Sequence, residues 1–98
     1  MIVRIVKLSF QEDKVESFLN NFHSTKDQIR AFDGCNRLEL LKVKDKSNIF
    51  MTYSFWDDES FLNNYRNSDL FKGIWSKTKK MFNDKPEAWT VTQEDILL

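Results

Sequence analysis

The sequence contains one cysteine, one histidine, one proline and two glycines among its 98 residues. Cys35 has no second cysteine with which to form an internal disulfide bond, as is typical of proteins in a reducing compartment. With His23 as its only histidine, one chain cannot assemble a multi-histidine metal site or a histidine relay. Gly34 and Gly73 lie too far apart for a glycine-rich phosphate loop. We therefore expect neither a disulfide bond nor a metal.

An excess of charge of either sign is also missing. Lysine and arginine total 15, as do aspartate and glutamate, so the basic footprint of a nucleic-acid-binding protein is absent. The run from Lys77 to Lys80 is typical of a solvated helix face. The first ten residues lack the features of a signal peptide, and no stretch approaches the roughly 18 apolar residues of a membrane span. These observations predict a cytoplasmic protein with no nucleic-acid and no membrane partner.

Aromatic residues, by contrast, are abundant. The chain has nine Phe, three Trp and two Tyr, and side chains of this kind belong in a core, an interface or a ligand pocket. Apolar alternation predicts four strands, and a 3.6-residue period predicts an intervening helix and a later helical region. The predicted strands span 1–10, 35–44, 49–56 and 88–92, and the predicted helical segments span 14–30, 57–66 and 69–82. This order predicts one α+β domain over residues 1–98, with the ferredoxin-like βαββαβ arrangement.

Polar residues mark the predicted helix starts. Asp13 is placed to cap the first helix and Ser68 the third segment, because short polar side chains accept hydrogen bonds from free amides at helix starts. Asp57 and Asp58 indicate the start of the second segment, where acidic residues suit the helix dipole. The pair Asp33-Gly34 is expected to end the first helix, since it readily forms a turn.

Both faces of the predicted sheet carry apolar side chains. Ile2 and Leu8 point to one face of the first strand, and Val3 and Ile5 point to the other. Two helices can cover only one face, and each large apolar side chain left in water forgoes roughly 1.5–3 kcal/mol. The pattern therefore predicts a homodimer with paired sheets. The alternative is a monomer whose open face is kept wet by polar residues, namely Thr52, Ser54, Arg37 and Glu39.

The segments around Trp56 resemble a known family. The strand that ends at Trp56, the following 57–61 and 65–71 segments, and the 32–35 turn are similar to the antibiotic biosynthesis monooxygenase family over nearly the whole chain. The resemblance implies a dimeric α+β barrel built on a four-stranded antiparallel sheet, with a largely apolar pocket between sheet and helices. It also implies a cofactor-independent monooxygenase that acts on a small aromatic or quinone-like substrate, which itself activates oxygen after losing a proton. No cofactor is then expected.

Two branches of that family are not matched. Its haem-degrading members use an Asn on the first strand and a Trp and a His on the helix after the third strand, where this chain has Val6, Tyr65 and Trp75. Trp75 cannot ligate iron as a histidine would. The quinol-oxidising members carry histidines on the same helix, and this chain has none there. Haem degradation is therefore not expected.

The candidate substrate-binding residues are Asn64, Tyr65, Phe71 and Trp75. Tyr65 and Trp75 each combine a large apolar body with one hydrogen-bonding atom, which suits a planar aromatic ligand. The alternative is that this aromatic stripe is ordinary helix-facing core. No catalytic residue is identified. His23 is a weak candidate for a general base, and its alternative is a partly exposed helix residue.

Arg4 interrupts the apolar first strand on the face expected to meet the helices. A buried arginine requires a partner, which Asp69, Glu39 or an anionic ligand could supply. Alternatively, its side chain extends to solvent at the edge of the strand. The sequence shows no convincing acid–base pair, which favours an alternative function: a non-catalytic dimeric module that binds a small hydrophobic ligand.

Overall fold

The computed structural model describes residues 1–98 and confirms the predicted order of elements. The strands are β1 (Ile2–Ser9), β2 (Cys35–Lys42), β3 (Ile49–Trp56) and β4 (Glu87–Thr92), and the helices are α1 (Val15–Arg30), α2 (Glu59–Arg66) and α3 (Asp69–Thr78). All neighbouring strands pair antiparallel, in the order β2-β3-β1-β4. This is the ferredoxin-like α+β fold. None of the helices combines the length and the apolar character needed to cross a bilayer.

The register of β1 with β3 decides which side chains lie beneath the helices. Ile2 is opposite Trp56 and Leu8 is opposite Phe50, so alternate positions of both strands face the helices. Thr52 and Ser54 belong to this helix-facing set, and both line a cavity there. Their expected place on the open face is therefore wrong, because the period of two groups them with Phe50 and Trp56.

Side-chain caps begin α2 and α3, and the cap on α3 is the one expected from the sequence. The Asp58 side chain accepts from the amide of Ser60 at 2.8 Å, and the Ser68 hydroxyl accepts from the amide of Phe71 at 3.1 Å. Asp13 does not cap α1. It lies inside a 3₁₀ turn over Glu12–Lys14, and α1 follows that turn without a side-chain cap.

Seven of the nine buried hydrophobic side chains form two clusters at the helix-facing side of the sheet. Leu8, Phe10, Phe18 and Phe50 make up the first cluster, and Cys35, Trp56 and Leu62 make up the second. Phe10 and Trp56 are fully buried. Members of both clusters border the cavity described below, so the core also forms part of the cavity walls.

The face of the sheet opposite the helices is strongly apolar. Trp89, Val91 and Leu41 are exposed on it, and Tyr53 and Phe55 form an edge-to-face pair with ring centroids 5.0 Å apart. The charged exceptions on β2 are Arg37 and Glu39, which form an ion pair with each other. An apolar surface of this kind is unusual on a monomer.

Candidate functional site

A cavity of about 360 Å³ lies between the sheet and the helices. It extends across all four strands, from Leu38 on β2 past Thr52 on β3 and Val6 on β1 to Ala88 on β4. Strands lie about 4.8 Å apart, so the four strands span roughly 14 Å. Thirteen of its nineteen lining residues are hydrophobic. Its size and lining are within the range of small-molecule binding sites.

One wall of the cavity is a continuous series of aromatic contacts. Tyr65 stacks on Trp56 with centroids 5.2 Å apart, and Phe71 meets the edge of Tyr65 at 5.2 Å. Trp75 stacks on Phe71 at 5.9 Å with an interplanar angle of 11°. Phe71 and Trp75 are four residues apart in α3 and therefore lie on one helix face. These contacts make a continuous aromatic wall for the cavity.

Tyr65, one of the lining residues, carries a neutral hydroxyl group. Burial, and to a lesser degree Cys35, raises the pKa of Tyr65 well above its ordinary value. The phenol therefore keeps its proton at neutral pH and acts as a hydrogen-bond donor rather than as a base. Its oxygen makes no hydrogen bond within the chain and is not sealed from solvent. The hydroxyl is thus free to bond to a ligand.

Two arginines, Arg4 and Arg66, provide all the formal charge of the cavity lining. Arg4 Nη1 donates to Thr90 Oγ1 at 2.7 Å. Neither Asp69 nor Glu39 pairs with Arg4, because the one ion pair in the structure joins Glu39 to Arg37 on the opposite face of the sheet. Burial, and then the neighbouring charge of Arg66, lowers the pKa of Arg4.

The structure brings three of the four candidate substrate-binding residues together. Tyr65, Phe71 and Trp75 all line the cavity, whereas Asn64 is exposed and lies outside its lining. Consecutive helix residues are rotated by about 100°; on one side of Tyr65 this rotation brings Arg66 to the cavity, and on the other side it turns Asn64 away from it. His23 is likewise exposed and outside the lining, although Phe22 beside it borders the cavity.

Several lining residues were not singled out from the sequence. Strand alternation could have identified Thr52 and Ser54, since both share a face with Trp56. Arg66 and Ala88 carried no local signal, because they reach the cavity only through the packing of α2 and the pairing of β4 with β1.

The donor groups of the cavity do not fit haem. Histidine, cysteine and methionine are all missing from its lining, and these are the usual ligands of haem iron apart from tyrosine. Tyr65 is the only phenol there, and its raised pKa disfavours the phenolate that binds iron. Nor does any group of three or more His, Cys, Asp or Glu side chains form a potential metal site elsewhere.

Comparison with known proteins places this architecture among solved structures. A family profile described as antibiotic biosynthesis monooxygenase matches residues 1–75. A conserved protein from Methanosarcina mazei Go1 is similar at 23% identity and a TM-score of 0.87, covering 93% of this chain and 91% of that one. Rv0793 from Mycobacterium tuberculosis is 14% identical with a TM-score of 0.89, covering 97% and 96%.

A third similar structure carries a functional description. It is a variant of SnoaB, a cofactor-independent oxygenase from Streptomyces nogalater, with 16% identity, a TM-score of 0.85, and coverage of 98% of this chain and 95% of that one. No curated protein sequence gives a significant match. At these identities, the structural likenesses demonstrate the shared fold.

Proposed function

Because the chain belongs to the antibiotic biosynthesis monooxygenase family, we propose that it is a cofactor-independent monooxygenase acting on a small aromatic or quinone-like substrate. The observation that carries this proposal is the cavity of about 360 Å³ walled by Tyr65, Phe71 and Trp75. Stacked rings hold a planar substrate in one orientation, and the Tyr65 hydroxyl can donate to a substrate oxygen. The similarity to a cofactor-independent oxygenase supports the same reaction class.

The proposed reaction needs no external reductant. An activated CH₂ group of the substrate loses a proton, and the resulting carbanion gives one electron to O₂. The two radicals combine at carbon as a peroxide, which takes up a proton and then loses water to leave a carbonyl group. The sum is CH₂ + O₂ → C=O + H₂O, so the substrate supplies all the electrons. The protein contributes orientation, shelter from water and groups that stabilise negative charge.

In the proposed reaction, solvent takes up the first proton. Neither a histidine nor a carboxylate lines the cavity, and Tyr65 is held neutral by its raised pKa. The first proton therefore passes to water or hydroxide. Arg4 places a positive charge in the same cavity, where it favours the ionised substrate. Turnover is then expected to rise with pH as the substrate ionises.

The proposed functional unit is a homodimer in the cytoplasm. Pairing two copies through the open sheet face would cover Trp89, Val91 and the Tyr53–Phe55 pair, which the helices of one chain leave uncovered. Burial of such area is the main driving force of association. The single free, buried cysteine suits a reducing compartment.

One observation favours a second function. The cavity has no side chain that could serve as a general base, and a ligand-binding module has no need of one. In this alternative the dimer binds a small hydrophobic ligand without oxidising it.

Oxygen consumption with a panel of reduced quinols and anthrone-like phenols tests the enzyme. We expect uptake that falls at least about tenfold in Trp75→Ala, because loss of ring contact misplaces the substrate. Lys72→Ala, an exposed change on α3 outside the cavity, is the matched control and should retain full uptake. Saturable binding by the same compounds with no uptake at any pH would instead establish the non-catalytic module.

A further inference from the structure

We infer that the cavity selects an aromatic carboxylic acid, with the carboxylate bound between Arg4 and Arg66 and the ring against the aromatic wall. This inference rests on the proposed function and narrows its substrate class. Its basis is that two arginines, Arg4 and Arg66, line one small cavity and that no Asp or Glu of the chain lines it or pairs with them.

The two arginines come from different elements. Arg4 is in the middle of β1, with its side chain on the helix-facing side, and Arg66 is the last residue of α2. Two like charges facing one apolar cavity repel each other, and each also loses hydration. The lowered pKa of Arg4, caused by burial and then by Arg66, reflects both effects. An anion placed between them removes the repulsion.

The hydrogen bonding of Arg4 leaves room for such a ligand. One of its five N–H donors is used by Thr90 Oγ1 at 2.7 Å, a cross-strand neighbour in the β1–β4 pairing. This bond orients the guanidinium and leaves other donors free. A planar guanidinium matches a carboxylate through two parallel hydrogen bonds. A carboxylate is therefore the anion that suits this group.

The rest of the cavity indicates the body of the ligand. From the arginines, the lining continues along Tyr65, Phe71 and Trp75, whose rings contact one another in series. Aromatic side chains favour contact with another ring over contact with a flexible alkyl chain. The cavity of about 360 Å³ is at the lower end of the range for small-molecule sites, which favours a compact aromatic acid.

Isothermal titration calorimetry with three probes tests the inference without relying on turnover. The probes are 2-naphthoate, its uncharged amide 2-naphthamide, and octanoate, which has the acid group but no ring. We expect the wild-type protein to bind 2-naphthoate at least about tenfold more tightly than 2-naphthamide, as for hydrogen bonds to charged groups. We also expect it to prefer 2-naphthoate over octanoate.

Substitutions then assign the preference to the two arginines. Arg4→Gln should lower the affinity for 2-naphthoate about tenfold and leave the affinity for 2-naphthamide unchanged. Arg66→Gln should lower the affinity for 2-naphthoate only about threefold, because Arg66 is exposed and solvent screens its charge. The control is Lys77→Gln, which deletes one exposed positive charge on α3 outside the cavity and should change neither ligand. Circular dichroism confirms that each variant is folded.

Each result separates the inference from the proposed function. Equal wild-type binding of 2-naphthoate and 2-naphthamide would overturn acid selection, while the aromatic site and the oxygen assay would stand. Octanoate binding as tight as 2-naphthoate would overturn the aromatic body of the ligand. An equal loss in Lys77→Gln would reduce the effect to net charge and overturn the role of Arg4. Failure of all three probes to bind would contradict both the inference and the proposed cavity site.

Discussion

Replacing Gly34 with alanine should destabilise the protein strongly and displace α2 from the cavity. Gly34 has a φ of +85°, and a Cβ atom there would overlap the Phe61 side chain, with Cδ1 only 2.6 Å away. The left-handed backbone conformation costs a non-glycine residue about 1–2 kcal/mol. Forcing Phe61 aside adds about 1–3 kcal/mol, as for other overpacked sites. The total is about 2–5 kcal/mol, a large part of the roughly 5–15 kcal/mol that stabilises a typical domain.

The chain offers a matched control for this substitution. Gly73 lies within α3, and a Cβ atom there would meet nothing within 4 Å. Gly73→Ala should therefore stabilise the protein by about 0.5–1 kcal/mol, as alanine does for glycine inside a helix. The two alanine variants add the same atoms and should shift stability in opposite directions.

Urea unfolding, followed by tryptophan fluorescence at one fixed protein concentration, measures the difference. We expect the midpoint of Gly34→Ala to fall and that of Gly73→Ala to rise, with the slope of the unfolding free energy unchanged. Phe61 is on the helix that carries Tyr65, so Gly34→Ala should also weaken aromatic ligand binding. Equal midpoints for the two variants would refute the reasoning about Gly34.

Three further predictions concern the cavity and the open face. The pKa of Tyr65 is raised in the folded protein. Below about pH 10 its phenol is neutral in both the folded and the unfolded protein, whereas just above about pH 10 the phenol ionises only in the unfolded protein. Wild-type stability should thus fall from pH 10 upward relative to Tyr65→Phe, and parallel urea-midpoint curves would contradict this. Ser54→Ala should lower the free energy of unfolding by about 1–3 kcal/mol, because the buried Trp56 Nε1 loses its acceptor at 2.9 Å. Thermal unfolding measures this loss, and an unchanged midpoint would count against the hydrogen bond. Tyr53→Glu should yield monomers in sedimentation velocity, since it puts a charge into the proposed dimer interface; a wild-type protein already monomeric at micromolar concentration would contradict the dimer itself.

Local patterns were sufficient for the order of elements and for part of the cavity. Strands β1 and β3 follow from apolar alternation, and the start of α2 follows from the acidic pair Asp57-Asp58. The Ser68 cap follows from a hydroxyl that bonds to a nearby amide. Phe71 and Trp75 share a face of α3 because they are four residues apart in one helix. These features depend on contacts between residues close in sequence, so sequence alone predicts them.

Errors arose where nearby alternatives compete. Asp13 has the chemistry of a cap, yet a 3₁₀ turn already occupies its position and leads into α1. Asn64 and Arg66 flank Tyr65 on opposite sides of α2, and only the packing of the helix decides that Arg66 reaches the cavity while Asn64 does not. The polarity of Thr52 and Ser54 suggests the open face of the sheet, whereas strand alternation places them on the helix-facing side with Phe50 and Trp56.

By itself, the sequence determined the α+β order, the two-sided apolar sheet and the aromatic stripe on the later helices. Only the tertiary structure decided that Arg4 and Arg66, 62 positions apart in the chain, line one cavity with no carboxylate between them. The pairing of β4 beside β1 likewise brought Thr90 next to Arg4. The physical reason is range: periodicity reports which way a side chain points, whereas its long-range neighbours depend on how the whole chain packs.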